Sequence, residues 1–154
     1  MMRLIALAIA LSVMPTLHAA DKPAAGRKPS SQVSPEEGAK TLQRLFECAR
    51  EFRAASGTMT EDALFRCAEP LFSRSLSEGQ RRRLVAAVPL FMAPGEPGSC
   101  DSVPGASERF RGLPAIPETR ELCFHFELWN RDKKIGLATF TQESGSAAIL
   151  RLIY

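Results

Sequence analysis

Residues 122–154 read LCFHFELWNRDKKIGLATFTQESGSAAILRLIY, and the fold turns on how this stretch is read. From Leu122 to Trp129 apolar and polar side chains alternate. One parity carries Leu122, Phe124, Phe126 and Leu128; the other carries Cys123, His125, Glu127 and Trp129. A period of two marks a β-strand, because successive side chains of an extended chain point to opposite faces. NRDK and ESGS are turn sequences. The stretch therefore predicts an antiparallel meander of three strands, 122–129, 135–141 and 147–154.

Two-residue loops at Arg131–Asp132 and Ser144–Gly145 would set the register. Leu128 would then face Ile135, Phe126 would face Leu137, and Phe124 would face Thr139. In the second hairpin Thr139 would face Leu150 and Leu137 would face Leu152. These apolar residues share one face, which should pack on helices. The other face would hold His125, Ala138 and Arg151 in one row, and Glu127, Gly136 and Ile153 in the next. Trp129 and Phe140 would flank them. Gly136 and Ala138 would form a low floor, and Glu127 would lie within diagonal reach of Arg151. This describes either a shallow recognition patch or a solvated sheet face. Trp129 beside a turn is the feature that a solvated face explains least.

Upstream the period changes to helical. Ser34 is a good N-cap, followed by Pro35 and the acidic pair Glu36 and Glu37. Leu42, Leu45, Phe46, Ala49 and Phe52 recur at helical spacing, and Gly57 ends the run. Thr58 and Glu61 suggest a capping box for a second helix. Its apolar positions are Ala63, Leu64, Cys67, Ala68, Leu71 and Phe72, and Pro70 should end or kink it. Ser77 and Gln80 suggest a third helix, with Leu84, Val85, Val88, Phe91 and Met92 inward. The expected class is α+β: an N-terminal helical hairpin and a third helix, packed on a C-terminal antiparallel meander sheet.

The four cysteines form no CxxC pair, which leaves out a zinc knuckle and a thioredoxin-like motif. Cys48 lies nine residues before Gly57 and Cys67 ten after it, so the two should face each other across the helical hairpin. A Cys48–Cys67 bridge leaves Cys100 and Cys123 to close the segment before the sheet. That segment, Ala93 to Glu121, holds five prolines and four glycines. A connection of this length is often functional. Within it, SERFRGLP suggests a short edge strand.

The chain opens with Arg3, an apolar run from Leu4 to Met14, Pro15, and the small residues Ala19 and Ala20. This is the layout of a signal peptide, and the run is too short for a membrane span. The expected organisation is a signal peptide at 1–20, a flexible polar leader at 21–34, and one α+β domain at 35–154. The expected location is periplasmic or secreted, with two disulfides.

The formal net charge of +3 is too balanced to point to nucleic acid or to an anionic membrane. The sequence carries two histidines, and His18 would leave with the signal peptide. His125 alone cannot make a two-histidine metal site, and HExxH, GxSxG and a Gly-rich phosphate loop are absent from the sequence. No catalytic residue, metal ligand or cofactor is assigned. The run Arg81, Arg82 and Arg83 is either a docking site for an acidic group or a solvated face balanced by Glu78. The binding candidates are thus His125, Glu127, Trp129, Arg151, Arg81, Arg82 and Arg83. The leading expectation is an exported, non-catalytic module that binds another exported protein, of the inhibitor or immunity type. A periplasmic small-ligand binder is the first alternative. A small hydrolase using Glu127 and His125 is the second, since a carboxylate needs no motif.

Overall fold

The computed structural model describes residues 32–55 and 58–154. The signal peptide and most of the leader predicted from the sequence lie outside the described residues. The described chain is α+β, with four helices and a three-stranded antiparallel sheet. Helix α1 spans Pro35–Ala54, α2 Glu61–Ala68, α3 Glu78–Ala87 and α4 Ala106–Arg109. Strands β1 (Arg120–Glu127), β2 (Lys133–Glu143) and β3 (Ser146–Ile153) lie side by side in chain order.

The helix starts follow from capping chemistry. Ser34 and Glu37 form a capping box on α1, and Ser77 and Gln80 form one on α3. The start of α2 is shifted from the expected place: its N-cap is Thr60, whose side chain accepts from the Ala63 N–H, not Thr58. The hydroxyl of Thr58 instead donates to the Ala55 carbonyl at the end of α1. Pro70 turns the end of α2 into a 3-10 segment, Glu69–Leu71. α3 is shorter than its apolar spacing implied. It ends at Ala87, and Pro89 sits in a second 3-10 segment, Val88–Leu90. Val33, which the sequence reading placed in the leader, is fully buried, and its carbonyl accepts from Arg120 Nε at 3.1 Å.

The core between helices and sheet is aromatic. Phe91 is its hub, with ring centroids 4.8 Å from Phe126, 5.8 Å from Phe124, 6.1 Å from Phe46 and 5.4 Å from Tyr154. Edge-to-face contacts of this kind add to the gain from area burial. Cys48–Cys67 staples α1 to α2 at a Cα separation of 5.9 Å. Cys100–Cys123 staples the proline-rich segment to β1 at 4.8 Å.

The register differs from the expected one. Phe124 pairs with Gly136, His125 with Ile135, and Glu127 with Lys133. The first turn is the cause. Leu128 N–H donates to the Asp132 carbonyl, which leaves a three-residue loop, Trp129–Arg131, with Arg131 in the left-handed region at φ 67°. Asn130 Oδ1 accepts from the Asp132 N–H and fixes the turn. The expected and observed pairings differ by an odd number of residues, so β2 presents the opposite face. Gly136, Ala138 and Phe140 look toward the helices, while Ile135, Leu137 and Thr139 look away. The second loop is Ser144–Gly145 as expected, both at positive φ and closed by Glu143 opposite Ser146. A bulge at Thr139–Phe140 then shifts β3 so that Leu137 pairs with Ile153.

The face turned away from the helices is not open. Val103 and Ala106 of the proline-rich segment cover Cys123 and Leu137, with Cys100, Phe110 and Ile135 packed around them. The suggested edge strand at 107–114 is absent; that region holds α4 and turns. The segment that does pair is Met92–Gly98, which hydrogen-bonds β1 through Met92 with Glu127, Gly95 with His125, and Gly98 with Cys123. Pro94 and Pro97 suit such an edge position.

Candidate functional site

The structure separates the residues that the sequence reading had grouped. His125 and Glu127 lie on the face away from the helices and are half-buried. Their cross-strand neighbours are Ile135 and Lys133, not Ala138 and Gly136. The low floor of Gly136 and Ala138 faces the core, so the shallow patch does not exist.

Arg151 lies in a different row, Glu121–Thr139–Arg151, across the three strands. That row is four residues along β1 from His125, or about 13 Å at strand rise. Arg151 works inside the fold. Its Nε donates to Thr139 Oγ1 at 3.0 Å, its Nη1 to the Pro114 carbonyl at 3.2 Å, and its Nη2 to Glu121 Oε1 at 2.5 Å. Thr139 is fully buried, so this bond satisfies a hydroxyl that water cannot reach. The partner of Arg151 is therefore Glu121, not Glu127.

The three arginines of α3 also part company. Arg81 is mostly buried; it donates to the Leu76 carbonyl and pairs with Glu69 at 3.2 Å. Arg82 stacks over the Phe65 ring at 4.1 Å and pairs with Glu78 at 2.9 Å and Asp62 at 3.4 Å. Its hydrogen bond to Glu78 is the main reason its pKa lies above the ordinary arginine value; the Asp62 contact adds to this against some desolvation. Arg83 is exposed and has no hydrogen bond or ion pair among the described residues. Of this run, only Arg83 offers an unclaimed charge.

What the topology does assemble is an apolar end. Trp129 opens the first turn and is 80% exposed. Met92 is exposed and bonded to Glu127 through both backbone groups, two residues before Trp129. Leu90 is exposed beside it, and Tyr154, the residue after β3, packs its ring on Phe91 while remaining 43% exposed. β3 runs parallel to β1 across β2 and points toward the first turn, but it stops at Ile153 opposite Leu137, four residues of β2 short of Lys133. Leu90, Met92, Trp129 and Tyr154 are four of the five exposed large apolar side chains among the described residues. Sequence reasoning found Trp129 and missed Leu90 and Met92, because Val88–Met92 continues the apolar spacing of α3. Pro89 was the signal that this spacing no longer meant helix.

A cleft of about 470 Å³ lies between α1 and the Ala93–Pro97 segment, lined by Phe46, Glu47, Arg50 and Arg53 among others. Arg53 is committed there to the Pro89 and Phe91 carbonyls at 3.2 and 2.6 Å, and burial lowers its pKa. Among the described residues, no group of three or more His, Cys, Asp or Glu is placed to hold a metal ion. No helix among them is long and apolar enough to cross a membrane. In comparisons with protein-family models, curated proteins and solved structures, nothing matches this chain.

Proposed function

We propose that this is an exported, non-catalytic protein-binding module of the inhibitor or immunity type, and that it meets its partner with the end of the sheet that carries Trp129. One observation carries this reading: an indole 80% exposed on a hydrogen-bonded turn, two residues past Glu127, whose backbone bonds the exposed Met92. Buried-on-contact Trp and Tyr side chains dominate binding energies at protein interfaces, and a rigid turn loses little entropy when it docks. The two disulfides support residence in an oxidising compartment, the periplasm or the exterior. The partner is then another exported protein.

The test compares parent and Trp129→Ala proteins as baits in a periplasmic extract, after both show the same thermal midpoint. A protein held by the parent and weakened by about tenfold or more with Trp129→Ala supports the reading. Equal capture by both ends it. The cleft beside Arg50 supports the second reading, a small-ligand binder, since its size lies within the range of ligand sites. Native mass spectrometry of the protein purified from its own host tests that reading directly.

A further inference from the structure

The two edges of the sheet are treated differently. The β1 edge is covered by Met92–Gly98 through five backbone hydrogen bonds. The β3 edge is met at its upper part, where the Ser73 N–H donates to the Ile149 carbonyl, Phe72 bridges Ile149 in parallel and the Thr41 hydroxyl donates to the Ala147 carbonyl. Beyond the bulge, Leu137 pairs with Ile153 and Thr139 with Arg151. The odd-numbered residues of β2 turn their backbone groups toward β3, because Phe124–Gly136 and its even neighbours serve β1. By the alternation of an antiparallel ladder, Arg151 and Ile153 then bond β2, and Leu152 turns its N–H and C=O outward. Among the described residues no segment reaches those groups. An open pair of this kind is a template for another strand.

The same edge borders a groove. It measures about 280 Å³ and lies between α3 and β3, lined by Leu76, Gln80, Arg83, Leu84, Leu150 and Leu152 among others. Its walls are mostly apolar, it has no acidic lining residue, and its one unclaimed charge is Arg83. The nearby carboxylates Glu69, Glu78 and Asp62 are occupied by Arg81 and Arg82.

We infer that the β3 edge receives an extended segment of the partner protein as a fourth strand, and that this segment alternates apolar residues with acidic ones. Main-chain bonds to Leu152 would supply the pairing. Apolar side chains of one parity would enter the groove against Leu76, Leu84 and Leu152, and a carboxylate would meet Arg83. Strand addition of this type draws affinity from the backbone and specificity from alternate side chains. Charge selects between occupants. A second copy joined edge to edge would present its own β3, Ser146–Ile153, which carries no acidic residue to meet Arg83. An acidic strand neutralises it. This inference names the partner's chemistry and rests on the protein-binding reading above.

The probe is a blocked nine-residue peptide alternating Val and Glu, with its Val–Lys counterpart. Binding is followed by amide hydrogen exchange, with the Arg151 and Ile153 amides as internal controls. The expected result is slowed exchange at Leu152 with the Val–Glu peptide, and binding about fivefold or more tighter than for Val–Lys. In the exposed-site variant Arg83→Glu that order should reverse. The inference is overturned by no binding at about 1 mM peptide, by binding without protection at Leu152, or by a preference that Arg83→Glu leaves intact. It is also overturned if sedimentation shows a dimer that protects Leu152 without peptide, which would make a second copy the occupant. Loss of partner capture in Trp129→Ala together with failure of the peptides would sink the strand addition and leave the protein-binding reading standing.

Discussion

The Phe124 ring stands over Gly136 of the neighbouring strand, where a Cβ would come within 2.3 Å of its Cζ. The Phe124 ring leaves the central strand room for little more than backbone at this position. Gly136→Ala should therefore cost about 1–3 kcal/mol, as overpacking of a filled core does. Urea denaturation measures it. In the register expected from sequence, Gly136 would lie on the outer face and the alanine would be tolerated. A change below about 0.5 kcal/mol would return the sheet to that register.

The first turn gives a second check on the same point. Arg131 holds a left-handed conformation that glycine adopts without steric cost. Arg131→Gly should raise stability by about 0.5–1 kcal/mol, despite the extra freedom of the unfolded chain. If Arg131 and Asp132 formed a two-residue loop instead, Asp132 would share the left-handed strain. The informative comparison is Asp132→Gly, which should destabilise by about 0.5 kcal/mol or more, since Asp132 here has ordinary backbone geometry.

The sequence made the elements legible and their register not. The period of two in Leu122–Trp129 placed Phe124 and Phe126 inward, and both are buried. Hairpin symmetry around Gly57 paired Cys48 with Cys67. The reading of β2 failed because five consecutive residues, Gly136–Phe140, are buried. Where both faces of a strand are covered, alternation no longer says which face is inside. The cover is the Val103–Phe110 part of the proline-rich segment, whose composition reads as exposed loop. Nothing in the spacing of Val103, Ala106 and Phe110 announces a second small core. The same failure dissolved the predicted patch: His125 and Glu127 kept their face, while Arg151 became the partner of Glu121.

The guanidinium of Arg151 joins β3 to β2, to Glu121 and to the Pro114 carbonyl. Arg151→Ala should cost about 1–3 kcal/mol, mostly because the buried Thr139 hydroxyl loses its partner. Removing the hydroxyl as well should recover part of the loss, so the double variant Arg151→Ala/Thr139→Val should be more stable than Arg151→Ala alone. Limited proteolysis near Pro114 should speed up in Arg151→Ala. A variant as stable as the parent and equally resistant would mean that this clamp contributes nothing.

Phe126 is 1% exposed and its ring lies 4.8 Å from that of Phe91, whereas Trp129, three residues on, is 80% exposed. Phe126→Ala should cost about 3–5 kcal/mol, the usual loss for a large core aromatic. Trp129→Ala should change stability by about 0.5 kcal/mol or less, because the side chain gains little from the fold. A large exposed aromatic that stabilises nothing is what a contact surface retains. Thermal and urea unfolding of both variants decide the matter. If Trp129→Ala destabilised as much as Phe126→Ala, the indole would be packing on its own chain in solution, and the apolar end would lose its claim as the partner surface.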